Sequence, residues 1–372
     1  MMSYAISILL AAAGPTDQAA ARDTPASPWK SVDDRVALPN AKISFPTKAG
    51  TLALTSATEL SHKGQGIDNG AKYESSDRAL IATAYVYLPA FPDTALTAYE
   101  TDRVVAVRFG PKMATIERSV VDAPGHPGTV IRMTYDGGAA SDINKGEPAA
   151  TASAFVRVGG WIVKLRVSGP SARRDEVFAG LDALIAGLRF EPGTQVFPAT
   201  PLQIAAPCPA DGRPAILVPP DKRLGTALLE VAILSVSANL EDASGKAGKI
   251  APQFPKNGRD AVCVRGSSRI GSHDVQIFQP TGIATPPIVL GVLGDSGSMF
   301  VIQKTAVGGG YILKTTAIGE ALLYGEYDSI PTGEQIEALF GGKTKEGASP
   351  RGSVTLTAKG DSKINLPERL VK

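Results

Sequence analysis

The chain reads as α+β, in two domains, on three observations. Its 39 glycines and 28 prolines are spread along the whole length, which favours short strands joined by many turns. Segments of period-two alternation recur in both halves, and each half closes on an apolar stripe at helical spacing. With 372 residues and 43% apolar content there is enough material for two cores, at the usual size of roughly 150 residues per domain. The first domain is expected to be an antiparallel sheet with packed helices in an α/β/α arrangement. The second is expected to be a strand-rich sheet with one or two helices.

Met1 to Ala21 have the pattern of an export signal. Ala5 to Ala13 form an apolar run broken only by Ser7, and Ala19-Ala20-Ala21 supply the small-x-small pattern of a cleavage site, with a second cut after Ala13 as the alternative. No Lys or Arg precedes the run, and no cysteine follows it to carry a lipid. The mature chain is therefore expected to be soluble in the periplasm or secreted. No other segment has the 18 or more apolar residues that would span a membrane. Losing Asp17 with the signal moves the net charge from +2 to +3, too small a value to point to nucleic acid or an acidic membrane surface.

Residues 22–36, rich in Pro, Ser and Asp, read as a flexible lead with Trp29 available to a partner. The first domain occupies 37–192. Its strands are expected at Ala79–Leu88, where Ile81, Thr83, Tyr85 and Tyr87 share one face, with both faces covered, and then at 116–121, 129–135 and 152–167. Gly159-Gly160 turn the last of these into a hairpin whose second arm alternates Trp161, Val163, Leu165 and Val167 with Lys164 and Arg166. A helix capped by Thr94 runs towards Val107, and another begins at Ser171 with Val177, Leu181, Leu184, Ile185 and Leu188 on one stripe.

Residues 193–209 form a proline-rich linker and 210–342 the second domain. Strands are expected there at 215–218, 261–265, 275–279, 288–293, 299–304 and 311–318, and the apolar stretch 224–240 reads as helix or strand pair. Thr332 and Gln335 have the spacing of a capping box in front of Ile336, Leu339 and Phe340. The tail, 343–372, is polar with an edge strand at 354–357. Cys208 and Cys263, an even pair in an exported chain, are expected to form one disulfide.

Residues 40–192 resemble the PsbP-like and DcrB-like exported proteins. The segments that carry the resemblance are ISFPTKAGTLAL from Ile43, ALIATAYVYLP from Ala79, and WIVKLRVSGP followed by RRDEVFAGLDALIAGLRF from Trp161. The resemblance implies an α/β/α sandwich and an accessory or binding role with no shared catalytic site. The chain departs from the DcrB-like pattern in having no lipid-attachment cysteine.

Local motifs offer little chemistry. Gly294-Asp295-Ser296-Gly297-Ser298 has the GDSG sequence that surrounds the nucleophile of chymotrypsin-like proteases, with Ser296 as nucleophile and His273 as the nearest base. A turn between two apolar strands explains the same residues more simply. Asp142, Asn144 and Glu147 lack the spacing of a calcium loop, and Gly64, Gly66 and Gly70 lack the helix that a phosphate loop needs. His62, His126 and His273 read as surface residues, and no close His pair proposes a metal. Arg173-Arg174 open a helix against its dipole and offer contact to an anionic partner. The reading is of a non-enzymatic envelope protein that binds a protein or small molecule, without cofactor or metal. A serine hydrolase using Ser296 is the alternative.

Overall fold

The computed structural model describes residues 27–61, 66–89, 92–139, 148–204, 207–208, 213–218, 262–270, 273–280, 288–292, 298–304, 310–340, 352–356 and 362–365. The first half contains β1 (Lys30–Val32), β2 (Arg35–Leu38), β3 (Ile43–Pro46), β4 (Lys48–Ala49), β5 (Leu52–Glu59), β6 (Asp68–Ser75) and β7 (Ile81–Tyr87). There follow α1 (Thr94–Phe109), β8 (Ala114–Ala123), β9 (His126–Ala139), β10 (Pro148–Val158), β11 (Trp161–Pro170), α2 (Arg174–Gly187) and β12 (Arg189–Phe190). Strands β4 to β11 make one antiparallel sheet in the order β4-β5-β6-β7-β11-β10-β9-β8, and β1, β2, β3 and β12 make a small second one.

The strand period assigns the two faces of the larger sheet. Ala82, Ala84 and Val86 of β7 and Val163, Leu165 and Val167 of β11 are buried against α2, whose stripe of Val177, Leu181, Leu184 and Ile185 was legible as helical spacing. The opposite face carries Ile131, Met133, Tyr135 and Phe155, on which α1 lays Ala95, Ala98, Val105 and Phe109. One helix thus packs on each face of this sheet, as α+β. Asp93, and not Thr94, caps α1: its carboxylate accepts from the Leu96 amide at 2.9 Å, because a residue at the cap must be extended and Thr94 is already helical.

The second half is a meander. β13 (Val262–Ile270), β14 (His273–Pro280), β15 (Ile288–Val292), β16 (Met299–Lys304), β17 (Tyr311–Ala317), β18 (Glu320–Tyr327), β19 (Gly352–Leu356) and β20 (Ser362–Asn365) pair in sequence order, all antiparallel. α3 (Gly333–Phe340) covers one face through Ile336 and Leu339, which meet Val275, Ile277, Phe300 and Ile302. The neighbouring residues Phe278, Met299 and Val301 point the other way and bury Leu96 of α1. The capping box is present: Gln335 N donates to Thr332 Oγ1 at 3.3 Å and Thr332 N donates to Gln335 Oε1 at 3.1 Å.

α1 therefore lies between the two large sheets, with alternate flanks in different cores. Tyr99 on the same flank as Leu96 meets the Phe278 ring edge-on at 5.1 Å and hydrogen-bonds Gln276.

Two segments differ from expectation. The flexible lead ends in the β1–β2 hairpin, and Trp29 is 8% exposed, its Nε1 donating to Thr58 O at 3.0 Å and its ring 6.1 Å from Phe45. The large apolar ring finds cover within the chain, so it is not offered to a partner. The proline-rich stretch after residue 192 is fastened to both sheets. Phe197 N donates to Arg157 O at 3.1 Å, Ala199 N to Gly128 O at 2.8 Å, and Val262 N to Gln203 O at 2.8 Å. Cys208 and Cys263 lie at disulfide distance, with Cα atoms 4.9 Å apart. Closing a 55-residue separation stabilises by about 4 kcal/mol in the chain-entropy model.

Candidate functional site

The residues singled out in the sequence are not brought together. Ser296 lies outside the described residues, as do His62, Asp142, Asn144 and Glu147. β15 and β16 on either side of the GDSGS sequence are antiparallel, with Val292 opposite Met299. His273 opens β14 opposite Ile270. Gly66 adopts φ 70° beside β6, and Gly70 sits inside it, opposite Tyr85. Among the described residues no group of three or more His, Cys, Asp or Glu is placed to hold a metal ion. Arg173 is bound by Asp77 at 2.5 Å and by Glu176 at 2.6 Å, and Arg174 is 3.5 Å from Asp136. The pair of cations is thus used inside the fold.

Among the described residues, two concavities bring polar side chains together. The larger, about 820 Å³, lies between the β8–β9 hairpin and the last turns of α2. Val121, Ala123, Ile185 and Ala186 supply its apolar surface, and Arg132 stands over it, 11% exposed. Asp182 grips that guanidinium with both carboxylate oxygens, at 2.7 and 3.1 Å, and Glu117 takes its remaining arm at 2.9 Å. The Asp182 hydrogen bond, ahead of the opposing effect of burial, raises the Arg132 pKa further. Held by two carboxylates, the fork has its charge balanced within the fold and little rotamer freedom left to lose, so what it presents to the cleft is a fixed polar edge beside the apolar wall. His126 sits at the hairpin tip with its ring edge-on to Phe190 at 5.0 Å.

The smaller cavity, about 380 Å³, opens between the C-terminal end of α1 and strands β7 and β11. Register explains its polarity. Thr83 is opposite Arg166, Tyr85 opposite Lys164 and Ile81 opposite Ser168, so one face of the strand pair presents a polar row where the other presents Ala and Val. α1 packs on β9 and β10, leaving Thr83, Tyr85, Arg166 and Ser168 half-buried and Ile81 exposed, while Lys164 is buried. Arg78, Arg108 and Arg166 all line the cavity together with Thr83, Tyr85 and Ser168. The turn from β6 to β7 places Arg78 at the mouth of the cavity with its side chain 85% exposed: Arg78 N donates to Ser75 O at 2.8 Å, and the residue is held in the left-handed region at φ 58°. Asp77 fixes the turn by accepting from the Ser75 hydroxyl and from Ala79 N at 3.1 Å.

Sequence reasoning missed this cavity because its three arginines are far apart in the chain and converge only through strand pairing and the packing of α1 on the sheet. The available signal was the interleaving of Thr83 and Tyr85 on one strand with Lys164, Arg166 and Ser168 on another. The expectation that both faces of Ala79–Leu88 are covered is corrected here, with Ile81 42% exposed.

No family model matches the chain, and no curated protein matches it. Among solved structures, a mutant of protein Mog1 is similar at 13% identity and TM-score 0.30, over 42% of this chain and 94% of that one. A Bacteroides thetaiotaomicron protein is similar at 11% identity and TM-score 0.24, over 66% of this chain and 85% of that one.

Proposed function

We propose that the protein is a non-enzymatic binding or accessory protein of the cell envelope, exported by its N-terminal signal. Residues 37–192 form its binding unit and 210–342 a second unit fastened to it. The observation that carries this reading is the cleft over Arg132, where a guanidinium held on three contacts stands above an apolar floor. Ligand sites of this size combine apolar walls with a few fixed polar groups. The resemblance to PsbP-like and DcrB-like proteins supports the same role, and the Cys208–Cys263 pair at disulfide distance is compatible with an oxidising compartment.

Ala186 is exposed at the rim of the cleft, so Ala186→Trp fills it without entering the core. Thermal-shift screening of metabolites and short peptides is expected to find ligands that raise the melting temperature of the wild type and leave Ala186→Trp unmoved. Ligands that shift both proteins alike, or none at all, would remove the cleft from the reading.

A further inference from the structure

We propose that the cavity between the end of α1 and strands β7 and β11 binds a small organic anion with two or more carboxylate or phosphate groups. It is separate from the cleft over Arg132 and shares no lining residue with it.

Composition and geometry carry the inference together. Three guanidinium groups and the hydroxyl-bearing Thr83, Tyr85 and Ser168 line the cavity, and no carboxylate does. Glu74, on the neighbouring strand, is engaged by Lys72 at 2.7 Å and stands 3.6 Å from Arg78. Each of the three guanidinium groups has a partner in the fold, yet each fork carries five N–H donors, so N–H groups remain for oxygens of a bound anion. Guanidinium forks match the planar or tetrahedral oxygens of carboxylate and phosphate, and the Thr83 and Tyr85 hydroxyls complete the set of donors.

Arg166 is positioned rather than loose. It rises from a central strand and its guanidinium lies over the Phe109 ring, 5.8 Å from the centroid, which fixes the back of the cavity. Thr151 Oγ1 donates to Val167 O at 3.1 Å, so Ser168 is the donor across its 2.8 Å contact with Thr151 Oγ1, which anchors Ser168 in the wall and leaves Thr83 and Tyr85 as the hydroxyl donors facing the cavity. Arg78 supplies the rim from a backbone conformation that glycine would adopt more easily. A side chain kept where its backbone is disfavoured points to a use for the side chain. The volume suits a molecule the size of a tricarboxylic acid or a sugar phosphate.

The test is isothermal titration of the full chain at low ionic strength with citrate and, separately, with inorganic phosphate. Saturable binding of at least one anion, weakening as salt is added, is expected. Arg166→Gln and Arg78→Gly are each expected to lower affinity by about tenfold, the usual scale of one lost charged hydrogen bond. Arg78→Gly relieves the backbone at φ 58°, so it should melt at or above the wild-type temperature while binding less. That variant keeps the test decisive where Arg166→Gln fails to fold. Citrate binding without phosphate binding identifies carboxylate as the ligand group, and the reverse identifies phosphate. Ala186→Trp should bind as the wild type does, which separates this site from the cleft. Absence of saturable heat with both anions, or wild-type affinity in Arg78→Gly, would overturn the proposal.

Discussion

The two faces of the first large sheet come from the same strands and follow opposite rules. Towards α2, β7 and β11 present Ala82, Ala84, Val163 and Leu165, all buried. Towards α1, the intervening positions are Thr83, Tyr85, Lys164 and Arg166. α2 comes close to this face through a small residue of its own: a Cβ added at Gly180 would lie 3.0 Å from Leu52 of β5. The second face is covered fully only over β9 and β10, and the uncovered part is where cations gather. Packing and recognition are thus allotted residue by residue along one strand, and the period of two does the sorting.

The contrast is broken most strongly at Leu165. Leu165→Ala is expected to cost about 3 kcal/mol in urea unfolding, because the side chain is fully buried and the sheet cannot collapse around the space. Citrate affinity of the folded variant should remain that of the wild type. A loss below about 1 kcal/mol would mean that this face is not the one that holds the sheet together. On the other face, Thr83→Val should change stability by no more than about 0.5 kcal/mol, read in the same titration.

The smallest effect concerns the turn that delivers Arg78. The Ser75 hydroxyl, followed by the Ala79 amide, holds the Asp77 carboxyl at about 2, against an ordinary value of 3.8. A depressed folded-state value means that the contribution of Asp77 is present above 3.8 and is lost as pH falls through about 2. The Ala79 amide resonance should therefore titrate with a midpoint near that lower value. A midpoint at the ordinary one would show that Asp77 does not fix the turn.

Much of the architecture was legible in local pattern. The hairpin at Gly159-Gly160, the stripe of α2 and the Thr332–Gln335 capping box each depend on residues within a few positions of one another. What escaped depends on partners remote in sequence. β18, Glu320–Tyr327, contains Glu, Ala and Leu that favour helix, and it is a strand because β17 and β19 flank it. β20 escaped for the same reason, and 22–36 looked mobile because Trp29 buries itself against residues not reached until later. Of the site, no lining arginine was proposed for the role given to it here. Lys164 and Arg166 were visible only as the polar half of an alternation.

α1 also sets an order of events during synthesis. Its Ala98 flank finds cover once β9 and β10 have been made, yet Leu96 waits for Val262, Phe278 and Met299. A nascent chain that has completed the first sheet therefore still carries an apolar strip along this helix, until well over a hundred further residues have emerged. Delayed burial of that kind slows folding and leaves the intermediate open to self-association. The first half alone should be less soluble than the full chain, although it contains the larger core.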